Sequence, residues 1–500
     1  MTRLLLLFLL VSNYIYAQKP NIIVFLVDDM GWQDTSVPFA DSITHYNKLY
    51  RTPNMERLAS EGIKFTNAYA TPVCTPTRTS ILTGMNAAHH GITNWTSPQK
   101  NNNTDAKDDE LASANWNING LSQTDYPRTV KATPFPQLLK DAGYFTIHVG
   151  KAHWGPNGTP GSNPYNLGFV VNIAGHSAGQ PQSYLSEDNF GNIPGKSSVH
   201  AVPDMQEYHG SGIFLTEALT LEAIKSVKGA IQRKQPFFLN MSHYAVHVPL
   251  MADKRYFDHY LNVGLDSTEA KYASLIEGMD KSLGDLMDFL IKEKQDKNTV
   301  IIFLSDNGGL SLYPARSIKE HIQNLPLRAG KGSVYEGGIR NPMIIKWPGA
   351  ILPNQVSHSQ VIVEDLFPTI LEMAGIKKYQ TIQEIDGKSI VPILKNPMLI
   401  QEKILIWHYP NKWISKDGPG INYYSAIRMG DWKMIYSQRT GNKELYNIKE
   451  DIGEKQNLAS SHPDIVQKLS SILSDQLRTW KAPMPIVKAT HKPLSYPDQQ

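Results

Sequence analysis

Cysteine is almost missing: Cys74 is the single one in a chain of 500 residues. One thiol cannot form a disulfide within the chain, so the fold must rest on an apolar core. Hydrophobic residues make up 41%, enough for such a core, as one large and one small domain. An excess of either charge is also missing. Lys and Arg number 49 against 46 Asp and Glu, a net charge of +3 with no basic block. That removes support for nucleic-acid binding and for polybasic membrane association. No apolar run reaches the roughly 20 residues needed to span a bilayer. No internal repeat is visible, and low complexity is confined to Asn101, Asn102 and Asn103.

What is present starts with an export signal. Arg3, the apolar run from Leu4 to Val11 and a polar stretch ending at Ala17 read as a signal peptide over residues 1–17. No cysteine follows the run, so no lipid anchor is expected, and the mature protein is expected to be secreted or periplasmic. Export usually favours disulfides, which sharpens the question of Cys74. It lies between Pro72 and Pro76, ahead of a helical pattern over Thr77 to Leu82, and not in the apolar run that suits a structural thiol.

Short β-branched runs predict strands at 21–27, 145–149, 237–241, 299–304 and 342–347. Their near-continuous apolar character suits strands buried on both faces. Between them, helices are expected at 54–61, with Asn54 as N-cap, at 134–142 and at 268–294. The last carries Ile276, Met279, Leu283, Leu286, Met287 and Leu290 on one face, a core stripe. This alternation predicts an α/β fold with a large, mostly parallel or mixed central sheet flanked by helices. Beyond about residue 400, short strands at 404–407, 424–428, 432–436 and 444–446 precede an amphipathic helix over 463–480. A small antiparallel sheet packed with one helix is expected there. The domains read as a catalytic unit over 18–400 and a C-terminal α+β subdomain with a Pro-rich tail over 401–500. The polar stretch 96–127 reads as a surface insertion.

Open α/β sheets bind ligands beyond the carboxyl ends of their strands. Those ends carry Asp28 and Asp29, then Lys151 and His153, then His243 and His247, then Asp306 and Asn307. Singly, each has an ordinary reading as a turn, a cap or a satisfied histidine. Together they converge on one edge. Asp28, Asp29, Asp306 and Asn307 form an all-oxygen donor set, which suits Ca²⁺ or Mg²⁺ better than Zn²⁺. Three crowded carboxylates also call for a cation. The surrounding lysines and histidines imply an anionic substrate rich in oxygens, such as a phosphate or sulfate. A nucleophile at the start of a helix would complete the set, and Cys74 fits that place.

At these residues the chain resembles the formylglycine-dependent type I sulfatases of the alkaline phosphatase superfamily. Cys74-Thr-Pro-Thr-Arg78 with Leu82-Thr-Gly84 is similar to the family's Cys-x-Pro-Ser-Arg and downstream Leu-Thr-Gly. The likeness continues through Asp28-Asp29-Met-Gly, Gly150-Lys-x-His153, His247-x-Pro249, Asp306-Asn-Gly-Gly309, Lys331 and Glu336-Gly-Gly-x-Arg-x-Pro342. The resemblance implies that Cys74 is oxidised by a formylglycine-generating enzyme to Cα-formylglycine, whose hydrate is the nucleophile. It implies one Ca²⁺ held by Asp28, Asp29, Asp306, Asn307 and the modified Cys74. Arg78 would steady the diol, and Lys151 and Lys331 would grip sulfate. His247 would protonate the leaving alcohol, and His153 would help deprotonate the second diol hydroxyl so that sulfate is eliminated. Thr77 and Met85 depart from the family, which usually has serine and often a basic residue there; His89 and His90 read as structural.

The expected substrate is a sulfated oligo- or polysaccharide of algal, glycosaminoglycan or mucin type, with Trp95, Trp154, Trp407 and Tyr424 as candidates for stacking on sugars. The alternatives are a phosphodiesterase or phosphonate hydrolase of the same superfamily, and a silent carbohydrate-binding homologue with Cys74 unmodified.

Overall fold

The computed structural model describes residues 19–196, 198–310, 324–401 and 403–499. The signal-peptide reading therefore lies outside the described residues. Among them, no helix is long and apolar enough to cross a membrane.

The central sheet contains β1 (Asn21–Val27), β2 (Ile63–Tyr69), β3 (Phe145–Gly150), β4 (Val171–Ile173), β5 (Phe237–Ser242), β6 (Thr299–Ser305), β7 (Met343–Lys346) and β8 (Gln355–Ile362). Their spatial order is β8-β2-β7-β6-β1-β5-β3-β4. Only β7 runs against its neighbours, β2 and β6; every other pairing is parallel. The register of β1 shows why its sequence lacks alternation. Ile22, Val24 and Leu26 enter one hydrophobic cluster, while Ile23, Phe25 and Val27 enter the other. Both faces are covered, so both residue sets must be apolar.

The covering helices include α1 (Pro53–Ser60), α2 (Cys74–Thr83), α3 (Phe135–Asp141), α4 (Leu215–Gln232), α5 (Ser267–Lys292) and α6 (Leu366–Met373). Asn54 is not the N-cap of α1. It sits inside the helix, and Asp280 of α5 caps from a distance, accepting from the amides of Asn54 at 3.1 Å and Met55 at 2.8 Å.

The C-terminal sheet is antiparallel, β9 (Ile404–Tyr409), β10 (Tyr424–Met429), β11 (Trp432–Ser437) and β12 (Lys443–Asn447) in that order. Leu469, Leu473 and Leu477 of α7 (Pro463–Thr479) pack on its Ile427, Met434 and Leu445. The expected α/β architecture with a small C-terminal sheet is the one observed. The stretch 96–127 differs from expectation in part. Trp116, Ile118 and Leu121 are buried, and Leu111 and Ala112 pair with Val487 and Ile486 of the C-terminal tail. Asp105 and Asn119 hydrogen-bond inward, while residues 99–103 are exposed, so the stretch is partly a surface insertion and partly a buried network.

Candidate active site

One edge of the sheet gathers the chemistry. β1, β3, β5 and β6 are mutually parallel, and β2 runs the same way because β7 reverses twice between it and β6. The carboxyl ends of all five therefore face one side. β2, which a search for apolar runs misses, is the strand that leads to Cys74.

Cys74 is the first residue of α2 and not a residue ahead of it, with Val73 in extended conformation before it. All ten residues of α2 are buried, and Gly84 closes the helix at φ 69°, a left-handed conformation that glycine adopts without strain. Thr77 replaces serine without losing its hydroxyl, which lies 2.9 Å from the Thr71 amide that donates to it. Met85 is core. His90 is buried against Ser80 and His89 pairs with Asp386, so both are structural.

Around Cys74 the strand-end residues interlock. Its Sγ lies 3.5 Å from Nδ1 of His153. Nε2 of His153 is 2.9 Å from the Thr96 carbonyl, to which it must donate. That bond fixes the neutral tautomer with the Nδ1 lone pair facing Cys74. Burial first, then Lys151, holds His153 well below its usual pKa. Lys151 donates to Asp28 at 2.6 Å, and Lys331 reaches Asp29 at 2.6 Å. Arg78 is fully buried and donates through Nε to Asp306 at 2.9 Å and through Nη1 to Ser242 at 2.6 Å and the Lys151 carbonyl at 3.0 Å. Its place is behind the carboxylates, bracing them. His247 turns Nε2 toward Asp29 at 3.5 Å and donates from Nδ1 to the Val248 carbonyl at 2.9 Å. Burial, reinforced by Lys331 and opposed by Asp29, pushes its pKa down to about 3. His243 points away, into a contact with Ser282, and takes no part.

The carboxylates are unequal. Burial raises Asp28 well above the usual range despite Lys151, whereas Lys331, His247 and Lys151 overcome burial and hold Asp29 below it. Burial also pushes the Cys74 thiol up, so as a cysteine it would be a poor thiolate nucleophile. Asp29 and His153 both adopt left-handed backbone, φ 63° and 57°, strain of about 1–3 kcal/mol each that only a well-determined site retains.

Two acceptors are left over. Oδ1 of Asp28 and Oδ1 of Asn307 are buried without a hydrogen-bond donor. Asp28, Asp29 and His247 each place a ligand atom within 4.8 Å of the others. Asn307 donates to Asp29 at 2.8 Å, and Asp306 accepts from the Asp29 amide at 3.2 Å, so Asp28, Asp29, Asp306 and Asn307 form one group. Hard oxygens lacking donors fit a hard cation.

The group opens into a cavity of about 470 Å³, lined among others by Cys74, Asp29, His153, His247 and Lys331. Lys151, Asp28 and Arg78 lie beneath, fully buried. Residues 20–376 match the Sulfatase family model, and residues 330–482 match the C-terminal region of N-sulphoglucosamine sulphohydrolase. The chain belongs to the sulfatase family. Its reaction class is therefore that of the sulfuric ester hydrolases. It is 29% identical to a sulfatase of Formosa agariphila, over 93% of this chain and 89% of that protein. Against the N-acetylgalactosamine-6-sulfatase of Rattus norvegicus the identity is 30%, over 88% and 81% of the two chains. The crystal structure of Ps i-CgsB in complex with k-i-k-neocarrahexaose superposes with a TM-score of 0.69 at 28% identity, covering 92% of this chain and 93% of that one.

Some lining residues had no signature in sequence. Trp413, Ile414, Gln180 and His200 reach the cavity from distant loops. Of the aromatic candidates, Trp95 lines it, but Trp154 and Trp407 are buried in the core and Tyr424 packs against that core.

Proposed function

We propose that this sulfatase is exported and removes sulfate from a sulfated carbohydrate, with Cys74 matured to formylglycine and one Ca²⁺ held by Asp28, Asp29, Asp306, Asn307 and that modified residue. The observation that carries this is the pair of donorless acceptors, Asp28 Oδ1 and Asn307 Oδ1, buried with Asp29 beneath the cavity that Cys74 and Asp29 line. Carbohydrate is favoured because the rat relative is named for a sulfated aminosugar and Ps i-CgsB was crystallised with a neocarrahexaose.

The charge balance supports the anion. Asp28, Asp29 and Asp306 are matched by Arg78, Lys151 and Lys331, so a divalent cation would leave a positive surplus for a sulfate ester. When bound, Ca²⁺ supplies Lewis-acid polarisation of a sulfate oxygen. When formed, the aldehyde hydrate supplies the nucleophilic hydroxyl. Lys331 on the cavity wall donates to sulfate, and Lys151 beneath contributes its charge. His153, neutral and with Nδ1 toward residue 74, accepts a proton from a hydroxyl carried there. His247 delivers a proton to the leaving oxygen, and an approaching anion favours its charged form. By taking the proton of the remaining hydroxyl, His153 would let sulfate leave by elimination, without water having to attack sulfur.

The test is sulfate release. Protein co-produced with a formylglycine-generating enzyme should liberate inorganic sulfate from at least one member of a panel of sulfated saccharides. Hydrolysis of phosphodiesters alone would favour the phosphoryl-transfer alternative and reject this reading. Binding of saccharides without release of sulfate, in protein carrying the aldehyde, would favour the silent homologue.

A further inference from the structure

Two tryptophans share the wall of the catalytic cavity, Trp95 and Trp413, although 318 positions apart in a 500-residue chain. Neither is placed by chance contacts. The Trp95 amide donates to Asn94 Oδ1 at 2.9 Å, and its carbonyl accepts from Thr104 at 2.7 Å. The next residue, Thr96, holds His153 through its carbonyl. Trp413 donates from its amide to Asn422 Oδ1 at 2.8 Å, and Asn422 returns a bond to the Ile414 carbonyl at 2.9 Å. Its ring lies over Gly332, beside Lys331. A Cβ on Gly332 would come within 2.0 Å of the indole, and φ is +85°, so only glycine admits the ring there.

One carboxylate ties the two walls together. Asp105 Oδ1 accepts from Asn94 Nδ2 and from Asn411 Nδ2, each at 2.9 Å. Asn94 precedes Trp95, and Asn411 lies two residues before Trp413. Tyr409 donates to Asn94 at 3.0 Å, and the Ala106 amide donates to the Lys412 carbonyl at 2.7 Å. Asn94 and Asn411 are both fully buried. The expense of burying this polar network suggests a geometry worth fixing.

Resting on the sulfated-carbohydrate reading above, we infer that Trp95 and Trp413 form the subsite for the sugar ring that carries the scissile sulfate, and that Asp105 is the residue positioning both. An indole presents a flat apolar face, and a pyranose presents a matching face of C–H groups. The ligand class is thus a sulfated pyranose bound by its ring face, with its sulfate directed to Lys331. Asp105 touches no substrate and acts through the two loops.

The experiment uses the full chain, with a saccharide that the wild type desulfates. Binding is followed by calorimetry and by tryptophan emission in the Cys74→Ala background, and turnover by sulfate release with Cys74 intact. Trp413→Ala and Trp95→Ala should each weaken binding at least tenfold and reduce the emission change, with Trp413→Phe recovering most of the affinity. Asp105→Ala should raise KM several-fold with a smaller change in kcat, and Asp105→Asn, which keeps the acceptor oxygen, should recover the wild-type KM. Saccharide affinity within twofold of wild type in both tryptophan variants would overturn the inference and leave the carbohydrate reading standing. So would Asp105→Ala lowering kcat alone. A wild-type enzyme that desulfates no saccharide while hydrolysing a simple aryl sulfate would instead remove the carbohydrate reading and this subsite with it.

Discussion

Two buried ionic clusters in this protein look alike in composition and differ in completion. At the sheet edge, Asp28, Asp29 and Asp306 meet Arg78, Lys151 and Lys331. Between the sheet edge and the C-terminal sheet, Glu336 and Glu454 meet Lys433, with Arg340 and Arg428 alongside. In the second cluster Lys433 bridges both glutamates at 2.9 and 2.8 Å, and Glu454 also accepts from the Glu336 amide at 2.7 Å. None of its side-chain atoms is buried without a hydrogen-bond partner, whereas in the first Asp28 Oδ1 and Arg78 Nη2 have none, nor does Oδ1 of the adjoining Asn307. A closed cluster holds structure together. An open one is built for something it does not itself contain. The comparison distinguishes function from scaffolding where burial and charge alone do not.

The largest expected effect separates the two at once. Cys74→Ala should lower sulfate release by at least about a thousandfold, with the urea midpoint close to wild type. Lys433→Met should do the reverse. It strands two buried glutamates, which costs about 3–5 kcal/mol, read as a lower urea midpoint, while the folded fraction keeps its Ca²⁺ response. Equal destabilisation by both substitutions would erase the distinction.

Next in size is the cation. Chelated protein should gain melting temperature on adding Ca²⁺, by the equivalent of about 2.7 kcal/mol at a hundredfold excess over Kd. Asp28→Asn should abolish the gain, and Lys433→Met should retain it. A gain unaffected by Asp28→Asn would place the cation elsewhere.

The closed cluster also carries a pH signature. Burial, opposed by Lys433, raises Glu454 to about 7 from an ordinary value of 4.5. Its raised value means that the folded state holds the proton more tightly than the unfolded one. The associated stability is complete below about 4.5 and is lost as pH rises through about 7. Glu454→Gln should flatten that part of the profile, seen by urea denaturation at stepped pH. An unchanged slope would contradict the assignment.

The strands with continuous apolar runs were legible because both faces are buried. β2 and β8 were not, for opposite reasons of placement. β8 is an edge strand that exposes Val356 and His358 and buries Ser357 and Ser359, so it shows no apolar run, and β2 carries Lys64, Thr66 and Asn67 within a mostly buried strand. The strand-end chemistry was legible because each motif follows its strand directly in sequence. Trp413 and Asp105 were not, since their meaning lies in contacts across some 300 residues and neither belongs to a local pattern. The stretch 96–127 was legible in part, for residues 99–103 are exposed as a surface insertion requires, whereas Trp116, Ile118 and Leu121 are buried. Trp154 and Trp407, candidates for stacking on sugars from the sequence, each pack in the core with the indole nitrogen donating to a backbone carbonyl, of Arg78 and of Ala70.

The most direct measurement is the mass of the tryptic peptide Phe65 to Arg78 from a preparation that releases sulfate. The site described here predicts that Cys74 has lost its sulfur and carries an aldehyde or its hydrate. An intact thiol at Cys74 throughout a fully active preparation would contradict it.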